Sequence, residues 1–88
     1  MNPTARELFR LALLRVLDSN ASGFGLTPQT LGVLVAEFGF SPRPDETQRE
    51  IDYLADKAFV TVVGKNISPE NRAWRITATG RDELAQRG

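Results

Sequence analysis

Phe59-Val60-Thr61-Val62-Val63 and Arg72-Ala73-Trp74-Arg75-Ile76-Thr77, joined by the turn-rich stretch Gly64 to Asn71, decide the fold of this chain. The first run is a β-branched strand and the second alternates as a partner strand. Gly64, Asn66, Ser68, Pro69 and Asn71 supply turn residues between them, so the two are expected to form a β-hairpin with a long tip. Side chains alternate along a strand, which puts Trp74 and Ile76 on one face and Arg75 on the other. A two-stranded hairpin needs something packed on its apolar face to be stable. A lone Trp in a small domain usually takes that inward place, although Trp74 beside Arg72 and Arg75 is also placed to stack on a base.

The sequence on both sides is helical. Residues 4–18 carry Ala5, Leu8, Phe9, Ala12 and Val16 on one side, a core-facing stripe. Leu11, Leu14 and Leu17 interrupt the polar side. They are either covered by other helices of the chain or offered as a self-association face. Ser19 to Leu26 reads as a loop. A second helix begins with Thr27 as cap, Pro28 in the first turn and Leu26 with Leu31 as a hydrophobic staple. It runs through Leu34, Val35 and Phe38 to Gly39, and Gly32 within it suggests a close helix crossing. After a turn at Phe40 to Pro44, Asp45 and Gln48 read as a capping pair for a third helix over about 45–58, with Ile51, Leu54, Ala55 and Ala58 inward. Thr79 is expected to cap a last short helix ending near Gln86.

The 88 residues make one domain, 1–88, small enough to depend on good packing or a partner. Hydrophobic residues at 41% and charged residues at 25% are ordinary globular usage, which argues against disorder. There is no cysteine and no histidine, so no disulfide, no usual zinc or haem ligand and no Ser-His or Cys-His catalysis. The serines sit in loops with no base nearby in sequence, and phosphate-binding glycine motifs are missing. The expectation is a protein that is not an enzyme and has no cofactor and no metal. No stretch is long and apolar enough for a membrane span or signal core, so a cytoplasmic location follows by default.

Helix, helix, helix, strand, strand, helix is the order of the winged helix-turn-helix, an α+β fold. Ile51-Asp52-Tyr53-Leu54-Ala55-Asp56-Lys57-Ala58-Phe59-Val60 resembles the helix-to-strand segment of bacterial winged-helix regulators. Trp74-Arg75-Ile76-Thr77-Ala78-Thr79-Gly80-Arg81-Asp82-Glu83-Leu84 resembles the strand and following helix that close the wing in the arsenic-repressor-like, multiple-antibiotic-resistance-like and PadR-like groups. The likeness covers nearly the whole chain, and extends to small winged-helix proteins of Mu-like prophages. Its motifs speak for the fold far more than for a task. It implies a DNA-binding protein and a transcriptional regulator, and its prophage side implies a phage protein. In such regulators the third helix enters the major groove and the wing touches the backbone.

Carried onto this sequence, those roles fall on Arg43 in the turn before the third helix, on Gln48, Arg49 and Tyr53 of that helix and on Lys65, Arg72 and Arg75 of the wing. Arg and Gln suit guanine and adenine edges, and Tyr53 suits a phosphate. The outward side of the third helix also shows Asp52 and Asp56, with Glu50 and Lys57 at the flanks. Eleven basic residues balance eleven acidic ones, which is unusual for a nucleic-acid binder. Residues 41–57 carry a net charge of −2, whereas Lys65, Arg72 and Arg75 against Glu70 give the wing +2. Double-stranded DNA is the expected partner, bound by a homodimer through Leu11, Leu14 and Leu17, since a dimer doubles the phosphate contacts. The alternative is an adaptor in a larger assembly, such as a phage particle, with a protein partner at the acidic third helix.

Overall fold

The structure, a computed structural model, describes residues 2–20, 25–64 and 72–87. It is α+β: helices α1 (Pro3–Ser19), α2 (Pro28–Leu34) and α3 (Pro44–Asp56), strands β1 (Val60–Val63) and β2 (Ala73–Ile76), and helix α4 (Ala78–Arg87). No helix among the described residues is long and apolar enough to cross a membrane.

Helix α1 is the hub. Asn2 caps it by accepting the Ala5 N–H at 2.7 Å, and the other helices and β2 pack around it. That surround widens its buried arc beyond a single stripe. Phe9, Ala12, Leu13, Leu14, Val16 and Leu17 are all buried, while Leu8, expected inward, is 54% exposed. Phe9 reaches Phe40 with ring centroids 5.3 Å apart.

Thr27 caps α2 by accepting the Thr30 N–H at 3.3 Å. The helix then tightens into a 3-10 turn, Val35–Phe38, before Gly39. At Gly32 an added methyl would lie 3.7 Å from Thr47 Oγ1, an ordinary contact, so the crossing of α2 and α3 does not require glycine there. Helix α3 starts earlier than expected. Pro44 occupies the first turn, where a missing N–H costs nothing, and Glu46, not Gln48, closes the start by accepting the Arg43 N–H at 3.0 Å.

The end of α3 is a Schellman-type stop. The Phe59 N–H reaches Leu54 O and the Ala58 N–H reaches Ala55 O, both at 2.9 Å. Ala58 takes the left-handed conformation at φ 62°. This turn delivers the chain into β1, which pairs antiparallel with β2 in the register Val60↔Ile76, Thr61↔Arg75, Val62↔Trp74 and Val63↔Ala73. Val60, Trp74 and Ile76 are buried against the helices, and Arg75 is exposed on the opposite face. Among the described residues the Trp74 indole N–H has no acceptor.

One pairing falls within the stretch expected as loop, Ser19 to Leu26, at its last residue. Leu26 bridges Trp74 on the free side of β2, with reciprocal N–H to O distances of 2.8 Å. Gly25 makes the approach possible: at φ +71°, a methyl on it would sit 2.8 Å from Trp74 O.

Thr77, rather than Thr79, starts α4. Its Oγ1 accepts the Gly80 N–H at 3.0 Å and donates to Ala58 O at 2.6 Å. Its N–H donates to Phe59 O at 2.9 Å. The α3–β1 turn and the start of α4 are thus tied by one residue. Gly80 is buried in that junction, where a methyl would collide with Phe59 O and approach Ile76 Cγ1 to 2.8 Å.

Candidate nucleic-acid interface

The sequence places candidate DNA contacts on α3 and on the hairpin. The two surfaces differ in how many of their positive charges are already taken.

On α3, positions 45, 49, 52 and 56 fall opposite the buried Thr47, Ile51 and Leu54, so the exposed face reads Asp45, Arg49, Asp52, Asp56. Arg49 Nη2 lies 3.9 Å from Asp45 Oδ2, and Gln48 Nε2 donates to Asp52 Oδ1 at 2.9 Å. Arg43 Nε lies 3.5 Å from Asp45 and 3.7 Å from Glu46. The expected base readers are therefore each in contact with a carboxylate of the same helix region.

Glu50 and Tyr53 turn the other way, toward α1. Glu50 is not a flank of the outward face: it is 4% exposed, accepts from Arg10 Nε at 2.5 Å and lies 3.7 Å from Arg6 Nε. The Arg10 guanidinium also covers the Tyr53 ring at 3.6 Å from its centroid, with Lys57 Nζ at 5.7 Å. Tyr53 is 37% exposed, but its ring is held within this cluster rather than on the Arg49 face. The sequence carries a signal for the arrangement. Arg6 and Arg10 stand four apart on α1, and Glu46 and Glu50 stand four apart on α3, a spacing that stacks like charges on one side of each helix and invites pairing between them.

The hairpin is different. Arg75 is exposed beside Thr61 on the outer face of the sheet, and Arg72 is exposed just before β2. Among the described residues neither has an ion-pair partner. Lys65 lies outside the described residues. Arg75 on β2 and Arg72 just before it thus differ in character from Arg43, Gln48 and Arg49.

No protein-family model, curated protein or solved structure matches this chain.

The dimer face requires a correction. Leu14 and Leu17 are 1% and 2% exposed, covered by the chain's own elements, because α4 and α3 close over that side of α1. Leu11 alone of the three is half-buried. Depressions among the described residues flank α3. A small one of about 70 Å³ between α1, α3 and α4 is floored by Leu11, Leu14, Leu54 and Phe59. A larger groove of about 530 Å³ between α2 and α3 is walled by Pro28, Val33, Pro42 and Pro44, with Gly32 and Thr47 at its base. Val33 on its edge is 73% exposed.

Proposed function

We propose that this chain is a winged-helix module that binds double-stranded DNA chiefly through its hairpin, the wing, with α3 playing a minor part. One observation carries the reading: Arg72 and Arg75 are exposed and lack carboxylate partners among the described residues, whereas Arg43 has two and Arg49 has one. Most affinity for a duplex comes from cations that neutralise phosphates, and a cation already paired must first give up its partner. Asp52 and Asp56 on the α3 face oppose close entry of that helix into an anionic groove. A regulator of transcription is the task this reading suits.

The test is the anisotropy of a labelled mixed-sequence duplex, titrated with the full chain at about 50 and about 200 mM salt. Wild-type binding should fall steeply with salt. The double variant Arg72→Ala/Arg75→Ala should weaken binding and flatten the salt dependence by roughly 0.9 in the log-log slope for each phosphate left unneutralised. Arg49→Ala should matter less than either single wing variant. Absence of binding at the lower salt, or binding indifferent to Arg72 and Arg75, would overturn the reading.

A second reading, a protein-interaction adaptor, is favoured by the groove between α2 and α3. Apolar walls, rigid prolines and the exposed Val33 suit a protein side chain better than a phosphate backbone. Under that reading DNA is not bound and Val33→Asp removes the partner.

A further inference from the structure

We propose that a second copy of this chain packs antiparallel on the exposed strip of α1, centred on Leu8 and Leu11. The inference stands whether or not the hairpin binds DNA.

The wide buried arc of α1 leaves one narrow outward strip, formed by Thr4, Leu8, Leu11 and Arg15, with Glu7 at its edge. Leu8 is 54% exposed and Leu11 is half-buried, and their spacing of three stacks them on adjacent turns. The charges along the strip are ordered, acid toward the start of the helix and base toward its end. Arg6, Arg10 and Asp18 of the same helix are paired with Glu50 or Arg81. Arg15 has no ion-pair partner among the described residues, and Glu7 makes no ion pair within 4 Å there, although its charge favours the charged form of Arg87 across the α1–α4 side.

A surface with one acid end and one basic end is complementary to itself when turned end for end. A two-fold axis between Leu8 and Leu11 sets Leu8 against the partner's Leu11 and brings Arg15 within about one helical turn of the partner's Glu7, twice over by symmetry. A parallel arrangement sets Glu7 beside the partner's Glu7 and Arg15 beside the partner's Arg15, which repel. The charges therefore select the antiparallel hand as well as the occupant. The strip is short, so the association belongs among weak, concentration-dependent dimers.

The experiment is sedimentation of the full chain without DNA, at low salt, from about 10 µM to about 1 mM, the range in which a weak interface populates its dimer. The wild type should rise from monomer toward dimer mass. Leu8→Arg should remain monomeric while keeping the wild-type Trp74 emission, since Leu8 lies outside the core. Glu7→Arg and Arg15→Glu should each weaken dimerisation by about tenfold or more, as two symmetric attractions become repulsions. The double variant Glu7→Arg/Arg15→Glu should recover it. A wild type that stays monomeric at the highest concentration overturns the proposal. So does a dimer unaffected by Leu8→Arg, or one that the double charge swap does not restore. Because no DNA is present, any of these failures leaves the hairpin reading untouched.

Discussion

Replacing Arg10 by Met tests how α3 is held on α1. Arg10 is the near partner of Glu50, at 2.5 Å, and its guanidinium also lies over Tyr53. The Glu50 side chain is 6% exposed and that of Arg10 21%, so water screens the pair little. Removing one member of such a pair strands the other, at about 3–5 kcal/mol for a fully buried case. Arg6 remains 3.7 Å away but is 42% exposed, which places the ion-pair loss nearer about 2–3 kcal/mol. Uncovering the Tyr53 ring adds roughly 0.5–1 kcal/mol. The sum, about 3 kcal/mol, is a large part of the roughly 4–13 kcal/mol expected for a domain of this length, and corresponds to a Tm lower by about 12–24 °C. Urea unfolding followed by Trp74 fluorescence measures it, because Trp74 is buried at 4% exposure and reports core opening. The double variant Arg10→Met/Glu50→Leu should return to within about 1 kcal/mol of wild type, since an apolar pair of similar volume replaces the ion pair. An Arg10→Met variant within about 0.5 kcal/mol of wild type, or a double variant that costs the sum of the singles, would refute the picture of Glu50 as a buried, dependent charge.

Three further substitutions probe the turns and helix contacts. Ala58→Gly should raise stability by about 0.5–1 kcal/mol in the same urea assay, because Ala58 holds a left-handed backbone that glycine adopts without strain. Gly80→Ala should cost more than about 2 kcal/mol, since its methyl meets the Phe59 carbonyl, a backbone atom that moves only if α4 separates from the α3–β1 turn. Gly32→Ala should stabilise by up to about 1 kcal/mol, read as a higher urea midpoint at unchanged slope, because the methyl finds ordinary contact distance from Thr47 and helix propensity improves.

What can be read from residue order alone follows from how local each signal is. The start of α2 is written in Thr27 and Pro28, and the hairpin in the β-branched run Val60–Val63 with the alternation through Ile76; a few neighbours suffice to specify each. The start of α4 lies two residues before the expected cap because Thr77 and Thr79 are equivalent locally. The choice is made by Ala58 O and Phe59 O, which only the folded chain brings to Thr77. The bridge at Leu26 involves one residue, too short to leave a periodic pattern. On α1, a stripe of period 3.6 assumes one packed side, and a helix surrounded by its neighbours has no single side. Leu14 and Leu17 point inward for that reason and Leu8 stays out. Of the candidate interface, the excess of acid on α3 is visible in composition. The inward turn of Glu50 and Tyr53 is not, because it depends on arginines of another helix.

The bridge between Leu26 and Trp74 has a mechanical consequence. The helix pair α2–α3 is fastened to the hairpin at both ends, through the α3–β1 turn at one and through Leu26 at the other. A force applied to the hairpin is therefore shared between two attachments and does not pivot about a single hinge. Pulling the hairpin away from the start of α2 loads both short backbone bonds at Leu26 together.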